Sequence, residues 1–171
     1  MNTHYEFSVP QLRRGFGILS AYLAAAKRHV EATGLPESDV LQARLAPDML
    51  SFTAQFQRAS DKAKNGVARL AQVEAPGFAD VEQSFAELEQ RIRGTLDFID
   101  LVDPAKFEAA GQRQVELRFR SISGSMTGHT YLTQVLMPDF YFHVATAHAI
   151  LRNLGVAIGK ADYLGKPDYL A

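Results

Sequence analysis

Asp139 and His143 are the residues of this chain whose types and spacing most directly suggest chemistry. They stand four apart in the run Pro138-Asp139-Phe140-Tyr141-Phe142-His143. On a helix that spacing places both side chains on one face, with Cβ atoms roughly 6 Å apart. A carboxylate and an imidazole so placed could share one divalent ion or pass one proton between them. Gln57 and Asp61 repeat the spacing earlier in the chain, on the flank of an apolar stripe containing Phe56 and Ala63, where they could line the same inter-helical cleft. The ligand-lining set read here is therefore Gln57, Asp61, Asp139 and His143. Zinc, nickel or manganese would call on Asp61, Asp139 and His143 alone, because an amide oxygen is a poor ligand beside carboxylate or imidazole. A structural reading of the same residues stays open. A histidine among Tyr141, Phe142 and Val144 can be a hydrogen-bonded, partly buried residue, and an aspartate directly after a proline can cap a restarted helix.

The other histidines offer less. His148 lies five residues past His143 and is turned off its face, His4 and His29 read as terminal or solvated, and His129 could reach only the mouth of a cleft. No Ser-His-Asp set stands in a recognisable local frame. The Gly and Ser residues near Gly124 lack the Gly-Lys-Ser/Thr ending of a phosphate-cradling loop. No reaction or substrate follows, and whether the chain is an enzyme stays open.

These side chains need elements to position them, and the periodicity supplies four long helices. In the first, Leu12, Phe16, Leu19, Leu23, Ala26 and Val30 recur at steps of four and three, the stripe of a core-facing helix. Ser8 and Gln11 fit a capping box at its start, and Gly34 and Pro36 end it. A short helical turn is read between Glu37 and Leu45. The second helix is read from Asp48, taken as its cap, with Phe52, Phe56, Ala63, Val67 and Leu70 inward. The third follows the capping-box pattern Ser84/Glu87 with Phe85, Leu88, Ile92, Leu96 and Ile99, and Asp103-Pro104 closes it. Val115, Leu117 and Phe119 then alternate with Glu116, Arg118 and Arg120, the period of a half-buried strand, with Ser123-Gly124-Ser125 read as the turn of a small hairpin. The fourth helix runs from Thr127 or Gly128 to Asn153, with Pro138 predicted to bend it just ahead of Asp139. Gly155 caps it. The tail from Ala157 reads as irregular, with Tyr163 and Tyr169 able to pack on a surface.

Composition sets the class. The 171 residues suit one domain, 1–171, and 47% hydrophobic with 22% charged residues is ordinary for a globular protein. Eighteen Lys+Arg against nineteen Asp+Glu, spread along the chain, leave a net charge of -1 and no basic stripe for a nucleic acid. There is no cysteine, which removes disulfides, thiolate catalysis and Cys-based zinc sites. Met1 to Glu6 show no basic segment followed by an apolar run, so no secretory leader is expected, and no later stretch reaches about 18 apolar residues. A soluble cytoplasmic protein with no membrane partner is the expectation.

Four stretches together look familiar. Leu45-Ala46-Pro47-Asp48-Met49, Ala59-Ser60-Asp61-Lys62-Ala63-Lys64, Pro138 to His143 and Leu151-Arg152-Asn153-Leu154-Gly155-Val156 resemble an uncharacterised bacterial domain family related to the DinB/YfiT-like bundles. The resemblance implies an all-α, antiparallel four-helix bundle of up-down-down-up topology, with the hairpin excursion between helices three and four. It also implies frequent homodimers and, in many members, a divalent metal held by one His on the second helix and a His-x-x-x-His on the fourth. Counting back from Leu151-Arg152 puts that pair at Asp139 and His143, and the helix-two ligand near Gln57, with Asp61 one turn on. Two functions follow as expectations: a small-molecule-binding or metal-dependent enzyme using the cleft between helices two and four, or a non-catalytic homodimeric module with a degenerate metal site. In the second, part of the Tyr141–Phe142 surface would face the partner chain.

Overall fold

The computed structural model describes residues 3–119 and 122–165. After one turn at Thr3–Glu6 (α1), the first apolar stripe lies buried along α2 (Val9–Thr33). Ser8 does not complete a capping box there. Its hydroxyl donates back to the carbonyls of His4 and Tyr5, at 2.6 and 3.1 Å, because the preceding turn α1 presents acceptors where an isolated helix start would present water. Gly34, at φ +74°, ends α2 and donates to Val30 O; this left-handed conformation is one that glycine adopts without a Cβ clash.

A short helix α3 (Glu37–Gln42) leads to α4 (Phe52–Ala71). The start of α4 corrects the sequence reading: Ser51, not Asp48, is its cap, accepting from Ala54 N at 3.3 Å. Phe52, fully buried, immediately follows, so helix and core begin together. The cap of α5 (Phe85–Leu101) is Ser84, which accepts from Glu87 N. The Glu87 carboxylate reaches one residue further back than a capping box requires, to Gln83 N at 2.5 Å.

Strands β1 (Gln114–Phe119) and β2 (Ile122–Thr127) pair antiparallel, Gln114 with Thr127 through Phe119 with Ile122. Ser123, Gly124 and Ser125 are thus strand residues opposite Arg118, Leu117 and Glu116 rather than a turn, and Arg120 lies outside the described residues. The alternating β1 segment is paired along its whole length, which draws the Ser-Gly-Ser run into β2. Val115 and Leu117 turn their buried faces to the bundle.

Thr127 caps a single turn α6 (Gly128–Tyr131). A π-helical segment, Leu132–Leu136, then runs into α7 (Met137–Asn153), with Pro138 in its first turn. The predicted interruption therefore takes the form of a wide helical turn next to the residue that lacks an N–H. The tail is not wholly irregular: Lys160–Leu164 forms α8, Tyr163 packs on the core and Arg14 donates to Leu164 O. Tyr169 lies outside the described residues.

Both α2 and α4 pack against α5 and α7. Helices successive in the chain, α2 with α4 and α5 with α7, therefore occupy diagonals of a four-helix bundle, and the connections 34–51 and 102–127 cross its ends. Two glycines set how closely α7 seats. A Cβ on Gly15 would lie 2.6 Å from Phe140 Cζ, and one on Gly66 would lie 2.7 Å from Leu136 Cδ2. Among the described residues no helix is long and apolar enough to cross a membrane.

Candidate functional site

The expected pair on α7 forms. His143 Nε2 lies 3.3 Å from Asp139 Oδ1, and Lys62 Nζ of α4 lies 2.6 Å from Asp139 Oδ2. His143 Nδ1 meets Gln55 Oε1 at 2.8 Å, and Gln55 Nε2 donates to Leu50 O at 3.0 Å. That last bond orients the amide, so Oε1 is the acceptor and Nδ1 carries the hydrogen. Nε2 faces the Asp139 carboxylate and donates to it when the ring carries both hydrogens. His143 and Gln55 are buried, whereas Lys62 and Asp139 each keep 29% of the side chain exposed. Burial pushes the Asp139 carboxyl upward, but hydrogen bonds from His143 and Lys62 outweigh it and hold the group below its ordinary range.

Asp61 and Gln57 go elsewhere. Gln57 Nε2 donates to Glu82 Oε2 at 2.8 Å. Asp61 pairs with Lys64 at 3.2 Å, Arg91 at 3.1 Å and Arg58 at 3.5 Å. Helical geometry explains the split: with about 100° per residue, positions 55 and 62 fall within roughly 20° of each other, while position 57 is turned about 200° from 55. Gln55 and Lys62 thus face α7, and Gln57 and Asp61 face α5. The helix-two residue that meets His143 is Gln55, two positions before the one counted from the sequence. A readable trace existed in the seven-residue step from Gln55 to Lys62, but choosing that face required knowing where α7 lies.

This geometry does not fit the metal set Asp61, Asp139 and His143. Among the described residues no three His, Cys, Asp or Glu side chains converge as ligands. Both Asp139 oxygens already face cationic or imidazole nitrogens, both His143 nitrogens have partners, and an ammonium stands against the carboxylate that a metal would need.

A second cluster on the α5 side escaped the sequence reading. The Arg91 side chain is only 2% exposed. Its guanidinium donates to Ala79 O at 3.0 Å and Glu82 at 2.7 Å, and pairs with Asp61 at 3.1 Å and Asp80 at 3.0 Å. Arg58 adds a 2.6 Å bond to Asp80. Burial raises the Glu82 carboxyl, but hydrogen bonds from Arg91 and Gln57 bring it below its ordinary value. Lys64 Nζ and Arg91 Cζ lie 5.3 and 5.7 Å from the centre of the Phe78 ring, within cation–π reach. Asp80 and Glu82 belong to the loop between α4 and α5 and Asp61 to α4 itself, and their spacing to Arg91 follows no local motif. The remaining histidines stand apart. His148 bonds Tyr22 Oη at 3.0 Å and is lowered by burial and by Arg152, and His129 sits edge-on to His4 at 5.7 Å.

A family model described as a domain of unknown function, DUF1993, matches residues 4–164. The crystal structure of a DinB family member protein from Shewanella denitrificans is similar to this chain, with a TM-score of 0.91 and 37% sequence identity over 98% of this chain and 94% of that one. No curated protein matches.

Proposed function

The chain belongs to the DUF1993 family of DinB-like bundles, and from that premise we propose a cytoplasmic, non-catalytic homodimeric interaction module in which the metal position is degenerate. The observation that carries the reading is Lys62 Nζ at 2.6 Å from Asp139 Oδ2. The ammonium neutralises the carboxylate, Asp139 faces His143, and His143 is bonded to Gln55. This closed chain leaves no imidazole nitrogen free for proton transfer. A divalent ion entering beside Asp139 would meet the Lys62 charge at short range in a partly desolvated cleft, where like charges repel by several kcal/mol. Phe142, 56% exposed, and Leu50, 44% exposed, flank the Gln55–His143 pair and supply the apolar surface for a second copy. One observation favours small-molecule binding as a second reading: Lys62 and Asp139 keep exposed edges at the mouth of the cleft.

Calorimetric titration of the purified chain with zinc, nickel and manganese, beside thermal melts, tests the proposal. No saturable metal binding is expected. His143→Phe should lose about 1–3 kcal/mol, because Gln55 Oε1 is left buried without a donor. Stoichiometric metal binding by the parent that vanishes in a folded His143→Phe variant would refute the reading.

A further inference from the structure

The structure points to a ligand groove on the opposite side of α4 from His143, and we infer that it takes a small organic amine with an apolar body. This goes beyond the proposed module function and does not depend on it. The groove, about 430 Å³, runs between the loop after α4 and the first turns of α5, and Phe78, Val81, Glu82, Glu87, Arg91 and Gly94 are among its walls. Its volume lies within the range of small-molecule sites. Glu87, Arg91 and Gly94 recur at steps of four and three, so they share one face of α5.

The walls are not loose. The loop from Ala79 to Glu82 is held by the Arg91 guanidinium, by Arg58 to Asp80 and by Gln57 to Glu82. Gly94, deep inside a helix where glycine is normally unfavourable, leaves room for the Phe78 ring. A Cβ there would sit 3.4 Å from Phe78 Cζ. Phe78 is half-buried, and Val81 is 70% exposed at the rim. Together they form an apolar wall that the protein covers only in part.

Charge selects the ligand. Asp61, Asp80 and Glu82 are met by Arg58, Lys64 and Arg91 through the ion pairs of this cluster, so the cluster that contributes Glu82 and Arg91 to the lining is neutral as a whole. Glu87 adds a further negative charge on the lining, and its carboxylate accepts from the backbone N–H of Gln83. A carboxylate ligand would meet Glu87 with like charge, whereas an ammonium would pair with it. Seven residues of α5 separate Glu87 from Gly94, about 10 Å of helix. The matching ligand carries its amine at one end of an apolar body of comparable length.

The test uses the full, isotope-labelled chain with 4-phenylbutylamine, 4-phenylbutyrate, 4-phenylbutanol and butylamine as probes, followed by amide chemical shifts. Saturable shifts confined to residues 77–82 and 87–94 are expected with 4-phenylbutylamine. Its binding should be roughly fivefold tighter than that of the butyrate, as exposed charge pairs allow, and tighter than that of butylamine, which has no aromatic end. Glu87→Gln keeps an acceptor for Gln83 N–H and should erase the preference for amine over alcohol. Val81→Lys, at the exposed rim, should weaken the amine without moving the melt. Equal or tighter binding of the butyrate, shifts outside the groove, no saturable shift, or an amine preference that survives Glu87→Gln would each overturn the inference.

Discussion

Arg91 sits with almost no access to water, so its charge has to be met inside the protein, and Asp61, Asp80 and Glu82 meet it. Removing Arg91 leaves Asp61 and Asp80 with Lys64 and Arg58 but takes from the nearly buried Glu82 its cationic partner, and breaking a buried pair typically costs 3–5 kcal/mol. Arg91→Met should therefore lose about that much in urea denaturation near neutral pH, more than its lost apolar contacts would account for. The acid limb supplies the distinguishing measurement. Glu82 and Asp139 are both held below their ordinary values of 4.5 and 3.8. A lowered folded pKa means the native state binds fewer protons than the unfolded one. The stabilisation is then present above the ordinary value and lost as pH falls through the folded one. Parent stability should decline once pH drops below about 4.5, the ordinary value of Glu82. In Arg91→Met the Glu82 share of that decline should shrink, because the charged donor has gone and only the Gln57 amide and a backbone hydrogen bond still oppose burial. An unchanged acid profile in the variant would show that the cluster does not hold Glu82 as described.

At the scale of the element, two glycines in α2 allow a controlled comparison. Gly15 faces the Phe140 ring with no room for a methyl group, while a Cβ on Gly17 meets nothing within 4 Å. Gly17→Ala should stabilise by up to about 1 kcal/mol through helix propensity alone. Gly15→Ala should destabilise by about 1–3 kcal/mol, as overpacking forces Phe140 or α7 to shift. Paired denaturation curves check this, and equal effects at the two positions would show that α7 does not press on α2 at Gly15. The helices themselves were legible because their apolar stripes recur with the helical period, and the alternation Val115-Leu117-Phe119 marked β1 for the same kind of reason. Caps were less legible. Asp48 and Ser51 are both good cap residues, and only the buried position of Phe52 decides between them. Ser8 was drawn off by carbonyls of α1 that the helix pattern did not announce.

For the molecule as a whole, the proposed homodimer makes a direct prediction: sedimentation should give about twice the 18.9 kDa chain mass, and Phe142→Ser should return it to the monomer with the melt preserved, since Phe142 is 56% exposed. A parent that sediments as a monomer across a hundredfold range of concentration would dismiss the homodimer. The sequence by itself determined the four long helices, the extended excursion before the last of them, the pairing of Asp139 with His143 and the family resemblance. Apart from the resemblance, which rests on four stretches taken together, each of these depends on residues close together in the chain, where rise and turn per residue settle which side chains are neighbours. Only the tertiary structure decided that Gln55 and Lys62, rather than Gln57 and Asp61, complete the α7 cluster, and that Arg91 gathers acids from a loop and from α4. Those choices turn on which neighbour each face of α4 meets. Helices successive in the chain lie on diagonals here, so α4 presents one face to α7 and another to α5. A shift of two residues along a helix, about 200° around it, exchanges one neighbour for the other, and no local spacing records which of them stands there.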